Sequence, residues 1–364
     1  MYEGPAQPLI EATGIAHVHS LDARTRGSLA WKARQQINFW RYSPHGISLD
    51  VDPSYARTLK RIVATVDLDA VLIEHLYMLQ YAHCARPVPI FFSAPDVESV
   101  KFSRWYAGEP LSLKRRLLHR AQLAVIRSYE SRLARRTCAV FAVSEIERDL
   151  LQRMNNGRGR FVVASNGVDL DQFELRKPDS FNGPPRLLFM GTMFYRPNYT
   201  AALELVNEIF PLVRKEIPDA ECHLIGKTDS GDYSTLHAPN RGVHMHGFVD
   251  DIRPWLLESQ VSVVPVRVGS GTRIKILEAM ATGTPVVSTT LGAEGLSCVD
   301  GEHVSIADTA AGMADAIVHL LRDRGACVRM GAAGRRLVEE RYSWDASAKV
   351  IQDEILRVIA PPRL

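Results

Sequence analysis

From Ser165 onward the chain alternates between short β-rich runs and amphipathic stretches, and that alternation restricts its fold more than any other feature. The β-rich runs fall at 186–191, 220–226, 243–247, 261–266 and 285–289. Segments of helical spacing fill 198–216, 250–259 and 273–281. Strand–helix–strand repetition requires crossover connections, which are right-handed almost without exception and lay helices over both faces of a parallel sheet. The second half is therefore expected to be a Rossmann-like domain.

The first half is also α/β, with strands expected at 70–74, 88–93 and 137–143 and helices at 54–66 and 113–135. Its opening is irregular. Residues 1–50 hold Pro5, Pro8, scattered glycines and an Arg/Trp-rich stretch at 31–42, without the strand and glycine-rich turn that normally begin a doubly wound domain. The chain length suits two domains, and no internal repeat is visible. The expected division is 1–172 for the first domain and 173–342 for the second, with a helix in 343–364 returning toward the first. The Pro/Gly-rich stretch 173–185 is the expected linker.

Net charge is +3, but its distribution is uneven. Up to Ser165 there are 23 Lys/Arg against 15 Asp/Glu, net +8; the remainder carries 21 against 26, net −5. Much of the excess lies in 111–136, where Lys114, Arg115, Arg116, Arg120, Arg127, Arg132, Arg135 and Arg136 face only Glu130. Leu113, Leu117, Leu118, Ala121, Ala124 and Val125 form an apolar stripe through this segment at helical spacing. Such a helix is more often a solvated face; the alternative is contact with an anionic membrane surface. Nucleic acid is not expected, because no aromatic platform accompanies the charge. No apolar run reaches the roughly 18 residues of a membrane span, and Met1-Tyr2-Glu3-Gly4-Pro5 does not open like a signal peptide. The expected location is cytoplasmic, peripheral at the inner face of the membrane. Cys84, Cys138, Cys222, Cys298 and Cys327 form no C-x-x-C pair and read as reduced core thiols.

Chemistry concentrates in 261–295. The buried run ends in Gly269-Ser270-Gly271-Thr272 and a helix follows at once. Glycines let backbone N–H groups approach a ligand and the helix start adds partial positive charge, so the turn suits a diphosphate. Arg273 and Lys275 bring full charge to the same place. Glu278, two turns into the helix, has no reason to face the core, and its carboxylate can accept hydrogen bonds from two vicinal hydroxyls such as those of a ribose. By itself the turn matches neither the P-loop pattern nor G-x-G-x-x-G.

The surrounding segments resemble the family 4 glycosyltransferases, retaining enzymes of the GT-B fold. The matching pieces run in order: Val143-Ser144-Glu145, Asn166-Gly167-Val168-Asp169, Leu187-Leu188-Phe189-Met190-Gly191, Leu224-Ile225-Gly226, Gly247-Phe248-Val249 and the LEAMA-x-G-x-PVV block of 277–287. The resemblance covers roughly residue 139 to the end. The wording of 269–281 is similar to a branch associated with exopolysaccharide and other cell-surface sugar assembly. The resemblance implies two Rossmann-like domains facing across a cleft and places Glu278 on the nucleotide ribose. It also implies that 269–273 contacts the diphosphate and that Gly247, Phe248 and Val249 border the base. Gly191, Arg196 and Leu277 fall on further donor-site positions, Arg196 being the nearest match to a basic pair after the opening strand. Two positions depart from the pattern: Ser270 stands where the family has a carboxylate toward the donor sugar, and Pro95 stands where relatives carry a histidine.

The expected function is transfer of a sugar from a UDP- or GDP-linked donor to a glycan or lipid-linked acceptor, with retention, no metal and no other cofactor. Arg273 and Lys275 would serve the leaving diphosphate. Two alternatives are a nucleotide-sugar epimerase of the same architecture and a donor-binding protein without turnover. Because the opening glycine-rich unit is not recognisable, the first domain is expected to be incomplete at its amino end, and transfer to lag behind binding. Asp50-x-Asp52, Asp67-x-Asp69 and Asp169-x-Asp171 mimic a metal-binding D-x-D, but their contexts suggest coincidence. His17, His19, His244 and His246 alternate like strand residues and read as structural.

Overall fold

The computed structural model describes residues 53–107, 112–176, 183–229, 231 and 233–360. His17, His19, the stretch 31–42, Asp50, Asp52 and Leu111 lie outside these residues, as do 177–182 of the expected linker.

Within the described residues the first unit runs from α1 (Pro53–Thr65) through β1 (Val71–Glu74), β2 (Ile90–Ala94), α2 (Glu98–Tyr106), α3 (Leu113–Glu130), β3 (Ala139–Ala142) and α4 (Glu145–Met154) to β4 (Phe161–Val163). Among the described residues its four strands pair in the order β1-β2-β3-β4, all parallel. Phe92, Val140 and Ala142 face one core with Leu79, Ile126 and Leu133. Phe91 and Phe141 face the other, beneath Ile351, Ile355 and Val358 of the last helix.

The second unit contains β5 (Arg186–Met190), α5 (Arg196–Glu204), α6 (Phe210–Glu216), β6 (Glu221–Ile225), β7 (Val243–Gly247), α7 (Arg253–Glu258) and β8 (Val261–Val264). It continues with α8 (Ile274–Ala281), β9 (Val286–Ser288), β10 (Ser305–Ile306), α9 (Ala310–Arg322) and α10 (Arg324–Arg341), after which α11 (Trp344–Ile359) returns to the first unit. The six strands lie in the order β10-β9-β8-β5-β6-β7, again all parallel. Leu187, Leu188, Phe189, Val261, Val263 and Val264 are wholly buried, as a sheet covered on both faces requires. The α/β class with two parallel-sheet units is thus the observed fold.

The structure corrects several details. The single helix expected over 198–216 is three pieces, with a π-helical turn at Leu205–Ile209 between α5 and α6. Pro211 has no N–H to continue the α ladder, which accounts for the break. The apolar stripe of α3 is not a core face at its start, for Leu113, Leu117 and Leu118 are 72%, 57% and 43% exposed and only Ile126 and Glu130 are buried. The expected linker begins as an anchored segment: Arg176 donates to the carbonyls of Leu256 and Ser259 and to Thr284 Oγ1. Cys138 is exposed and Cys298 half-buried, so only Cys84, Cys222 and Cys327 are core thiols.

Candidate functional site

Strand order reverses at β5, which has β8 on one side and β6 on the other. Crossovers leaving these neighbours go to opposite faces, so a crevice opens beyond their carboxyl ends, the usual ligand position in such sheets. Three of the expected elements meet there: Gly191 after β5, the turn 269–272 after β8, and α8. Gly191 is required by close approach, since a Cβ would stand 2.7 Å from the Asn198 side chain. Gly269 and Gly271 have φ of +128° and +78°, a backbone that side chains other than glycine rarely adopt.

Lys275 points its ammonium at Asn198 Oδ1, 3.1 Å away, and lies 4.9 Å over the Phe189 ring. Burial pushes its pKa down to about 7, Arg273 adds repulsion, and Glu278 acts in the opposite direction. Glu278 is half-buried one turn further along α8. Burial raises its carboxyl, Lys275 lowers it, and among the described residues it makes no hydrogen bond. A cation and an acceptor therefore stand side by side at the end of the turn.

Other expected residues behave differently. Arg273 directs Nη1 to the carbonyls of Ser270 and, at 3.0 Å, Gly271, so it braces the turn from behind. Leu277 is wholly buried in the core and offers no side chain to a ligand. Arg196 lines a separate cavity of about 210 Å³ with Trp105, Glu204 and Arg267; the residue that reaches Lys275 is Asn198, two positions on. In Gly247-Phe248-Val249, Gly247 has φ +75° and accepts from the Gly226 N–H, Phe248 is 69% exposed, and Val249 packs on the core. Asp169 accepts from the Asp171 N–H and from Gln172, which makes the third D-x-D a local turn. His246 stacks on His223 and lies 4.3 Å from Trp255, with His244 tilted against His223.

The opposite wall comes from the first unit and was largely missed by the sequence reading. Ser270 Oγ donates to Asp96 Oδ1 at 3.0 Å, Arg104 Nη1 donates to the Gly269 carbonyl at 2.9 Å, and Asn166 Nδ2 donates to Thr272 Oγ1 at 2.7 Å. Arg104 also holds Glu294 through two bonds of 2.6 and 2.8 Å. A cavity of about 100 Å³ remains, lined among others by Arg104, Ser144, Glu147, Ser270 and Glu294. Asp96, directly after Pro95, thus brings a carboxylate to the turn. Asn166 was visible only as part of a motif; Arg104 and Glu294, 190 residues apart, gave no signal.

Two family models match the sequence, "Glycosyltransferase Family 4" over 17–172 and "Glycosyl transferases group 1" over 184–323. The chain is 25% identical over 292 residues to a glycogen synthase of Mycobacterium tuberculosis, covering 76% of this chain and 66% of that protein. It is 32% identical over 209 residues to a phosphatidyl-myo-inositol mannosyltransferase of Mycobacterium leprae, covering 54% of this chain and 52% of that protein. The chain thus spans between half and two thirds of the length of these curated relatives. In fold it is similar to sucrose-phosphate synthase from Thermosynechococcus elongatus, with TM-score 0.67, 18% identity and coverage of 85% and 78%. HepE of Anabaena, solved with UDP and glucose, gives 0.62, 14%, 82% and 81%.

Proposed function

The chain belongs to the group 1 glycosyl transferases with a family 4 amino-terminal part, and on that premise we propose that it moves a sugar from a UDP- or GDP-linked donor to a glycan or lipid-linked acceptor, with retention at the anomeric carbon and without a metal. The observation carrying this reading is the convergence of the glycine turn, Lys275 and Glu278 at the switch point. Turn N–H groups, the start of α8 and the Lys275 charge stabilise the departing diphosphate. Glu278 accepts from the ribose hydroxyls, and Phe248 flanks the base. Family membership supports retention, and the presence of UDP in the HepE structure supports the nucleotide. The relative from Mycobacterium leprae, named for a phosphatidylinositol acceptor, supports a lipid-linked acceptor, and the exposed basic face of α3 supports contact with an anionic membrane. The epimerase alternative is less favoured because, among the described residues, no histidine lines the 100 Å³ cavity.

Incubation with labelled UDP- and GDP-sugars tests the proposal. Sugar should pass to an acceptor with its anomeric configuration kept, in the presence of a chelator. An isomerised donor would point to the epimerase, and micromolar binding without single-turnover product would point to a donor-binding protein. Glu278→Ala should weaken nucleoside diphosphate binding at least tenfold, since each hydrogen bond to a charged group is worth about 1.5–3 kcal/mol. Unchanged calorimetric affinity would remove Glu278 from the ribose.

A further inference from the structure

We propose that Glu147, supplied by the first unit, is the carboxylate that reads the hydroxyls of the transferred sugar. The inference rests on the donor reading above and goes beyond it, since nothing in the turn's own sequence carries an acid. A donor sugar is covalently attached to the second phosphate. If the turn 269–272 and Lys275 hold that diphosphate, the sugar lies within one ring's width of the turn, against whatever the opposite wall presents there.

Among the described residues three carboxylates stand near the turn, Asp96 and Glu147 from the first unit and Glu294 from the second, and two are already engaged. Asp96 accepts from Ser270 on one oxygen and from Lys101 on the other. Both oxygens of Glu294 accept from Arg104. Glu147 differs. Its Oε2 has a 3.4 Å contact from Ser144 Oγ, the Gly271 and Val97 N–H groups point toward the carboxylate, and its Oε1 is buried with no hydrogen-bond partner among the described residues.

Glu147 occupies the third position of α4 after the Ser144 cap, whose Oγ accepts from the Glu147 N–H at 3.3 Å. An acid at this position ordinarily reaches back to the cap N–H at the surface. Here the residue is 8% exposed and faces the 100 Å³ cavity between the units, with the Gly271 N–H of the donor turn directed at its carboxylate. Leaving a buried carboxylate oxygen unsatisfied is costly, and a hydroxyl supplied by a ligand offsets that cost. Burial, with Asp96 nearby, pushes its carboxyl up to about 7. Near neutrality it can therefore either accept from or donate to a hydroxyl, which suits a sugar. The cavity is narrower than a hexose, so the Ser270–Asp96 contact yields as the sugar enters.

Calorimetry with UDP, GDP, UDP-glucose and GDP-mannose tests the assignment. Wild-type protein should bind one of the nucleotide sugars more tightly than the matching nucleoside diphosphate. Glu147→Gln, which keeps the shape and the helix cap, should abolish most of that gain, about tenfold, and leave the nucleoside diphosphate affinity unchanged. Glu147→Asp should lie between. The unchanged UDP or GDP affinity serves as the check on folding. Equal losses for both ligands, or none for either, overturn the assignment; tighter nucleoside diphosphate binding in Glu147→Gln also overturns it, marking Glu147 as an obstacle to the phosphate. Failure of wild type to bind either nucleoside diphosphate overturns the donor reading itself, which is a separate result.

Discussion

Among single residues Lys275 has the most distinctive environment: an ammonium enclosed beside Asn198 and Phe189, with Arg273 near enough to repel it. With its pKa lowered to about 7, it is only half protonated at neutral pH before a ligand arrives. A bound diphosphate favours the charged form and raises that pKa, so binding above pH 7 must take up a proton. Affinity should then fall as pH rises past 7, by up to tenfold per unit until the bound-state pKa is reached. Calorimetry in buffers of different ionisation heat would measure the uptake. Lys275→Met should eliminate the buffer dependence and weaken nucleoside diphosphate far more than nucleoside. A buffer-independent enthalpy in wild type at pH 8 would show that Lys275 is charged throughout. Lys275 and Glu278 were legible in the sequence because they share one helix with the glycine turn, so spacing alone brings them together. Asn198, Asp96 and Glu147 were not, because what selects them is contact across a sheet edge or between units.

At the scale of elements, the strands of the second unit were the most legible, since each is a short apolar run bounded by glycine or a charged turn. α10 gave no comparable signal. Its small residues are explained only by what they touch: a Cβ on Gly331 would stand 2.1 Å from the Gly283 carbonyl, and one on Gly334 would stand 2.9 Å from Met280. α3 was legible as a helix but misleading as to its burial. Its first turns expose Leu113, Leu117 and Leu118 together with Lys114, Arg115, Arg116 and Arg120, while its far end buries Glu130, which accepts from the Ser99 N–H at the start of α2. One end is therefore docked and the other offers leucines and cations to the surroundings, as an interfacial helix does. Each basic residue near an anionic surface contributes about 1 kcal/mol. Co-sedimentation with phosphatidylserine-containing vesicles should accordingly rise with anionic lipid and fall with salt. Charge reversal at Lys114, Arg115 and Arg116 should abolish it, and Leu117→Ser should weaken it at every salt concentration. Absence of sedimentation for wild type at low salt would leave α3 a solvated face.

At the scale of the whole molecule, the chain passes between the units twice, once at Asn166–Val168 and again at Tyr342–Trp344, and the two passages touch. The Val168 N–H donates to the Tyr342 carbonyl at 2.9 Å, and Val168 forms a parallel bridge with Ser343. Beyond the second crossing, α11 lies on the first sheet, fixed by Ile351, Ile355 and Val358 and by Arg160 donating to Glu354. Besides the polar contacts within the crevice, its two walls are thus tied together by this backbone contact between distant segments, and Gly167 sits in it. A Cβ there would meet the Trp344 nitrogen at 2.6 Å, the Ser343 carbonyl carbon at 2.7 Å and the Trp344 Cα at 2.9 Å. All three are backbone atoms, which cannot rotate aside as a side chain would, so Gly167→Ala must separate the two crossings. Overpacking of this kind costs about 1–3 kcal/mol. Because the strain acts where both passages meet, it should also shift one unit against the other and part contacts such as Ser270–Asp96 and Arg104–Gly269 on the crevice side. Gly167→Ala is therefore expected to melt several degrees lower and, below its melting point, to scatter X-rays as a more open particle, with nucleotide-sugar affinity reduced more than nucleoside diphosphate affinity. Wild-type melting and scattering in this variant would mean that the crossings tolerate a side chain and that the crevice is held by its own polar contacts alone.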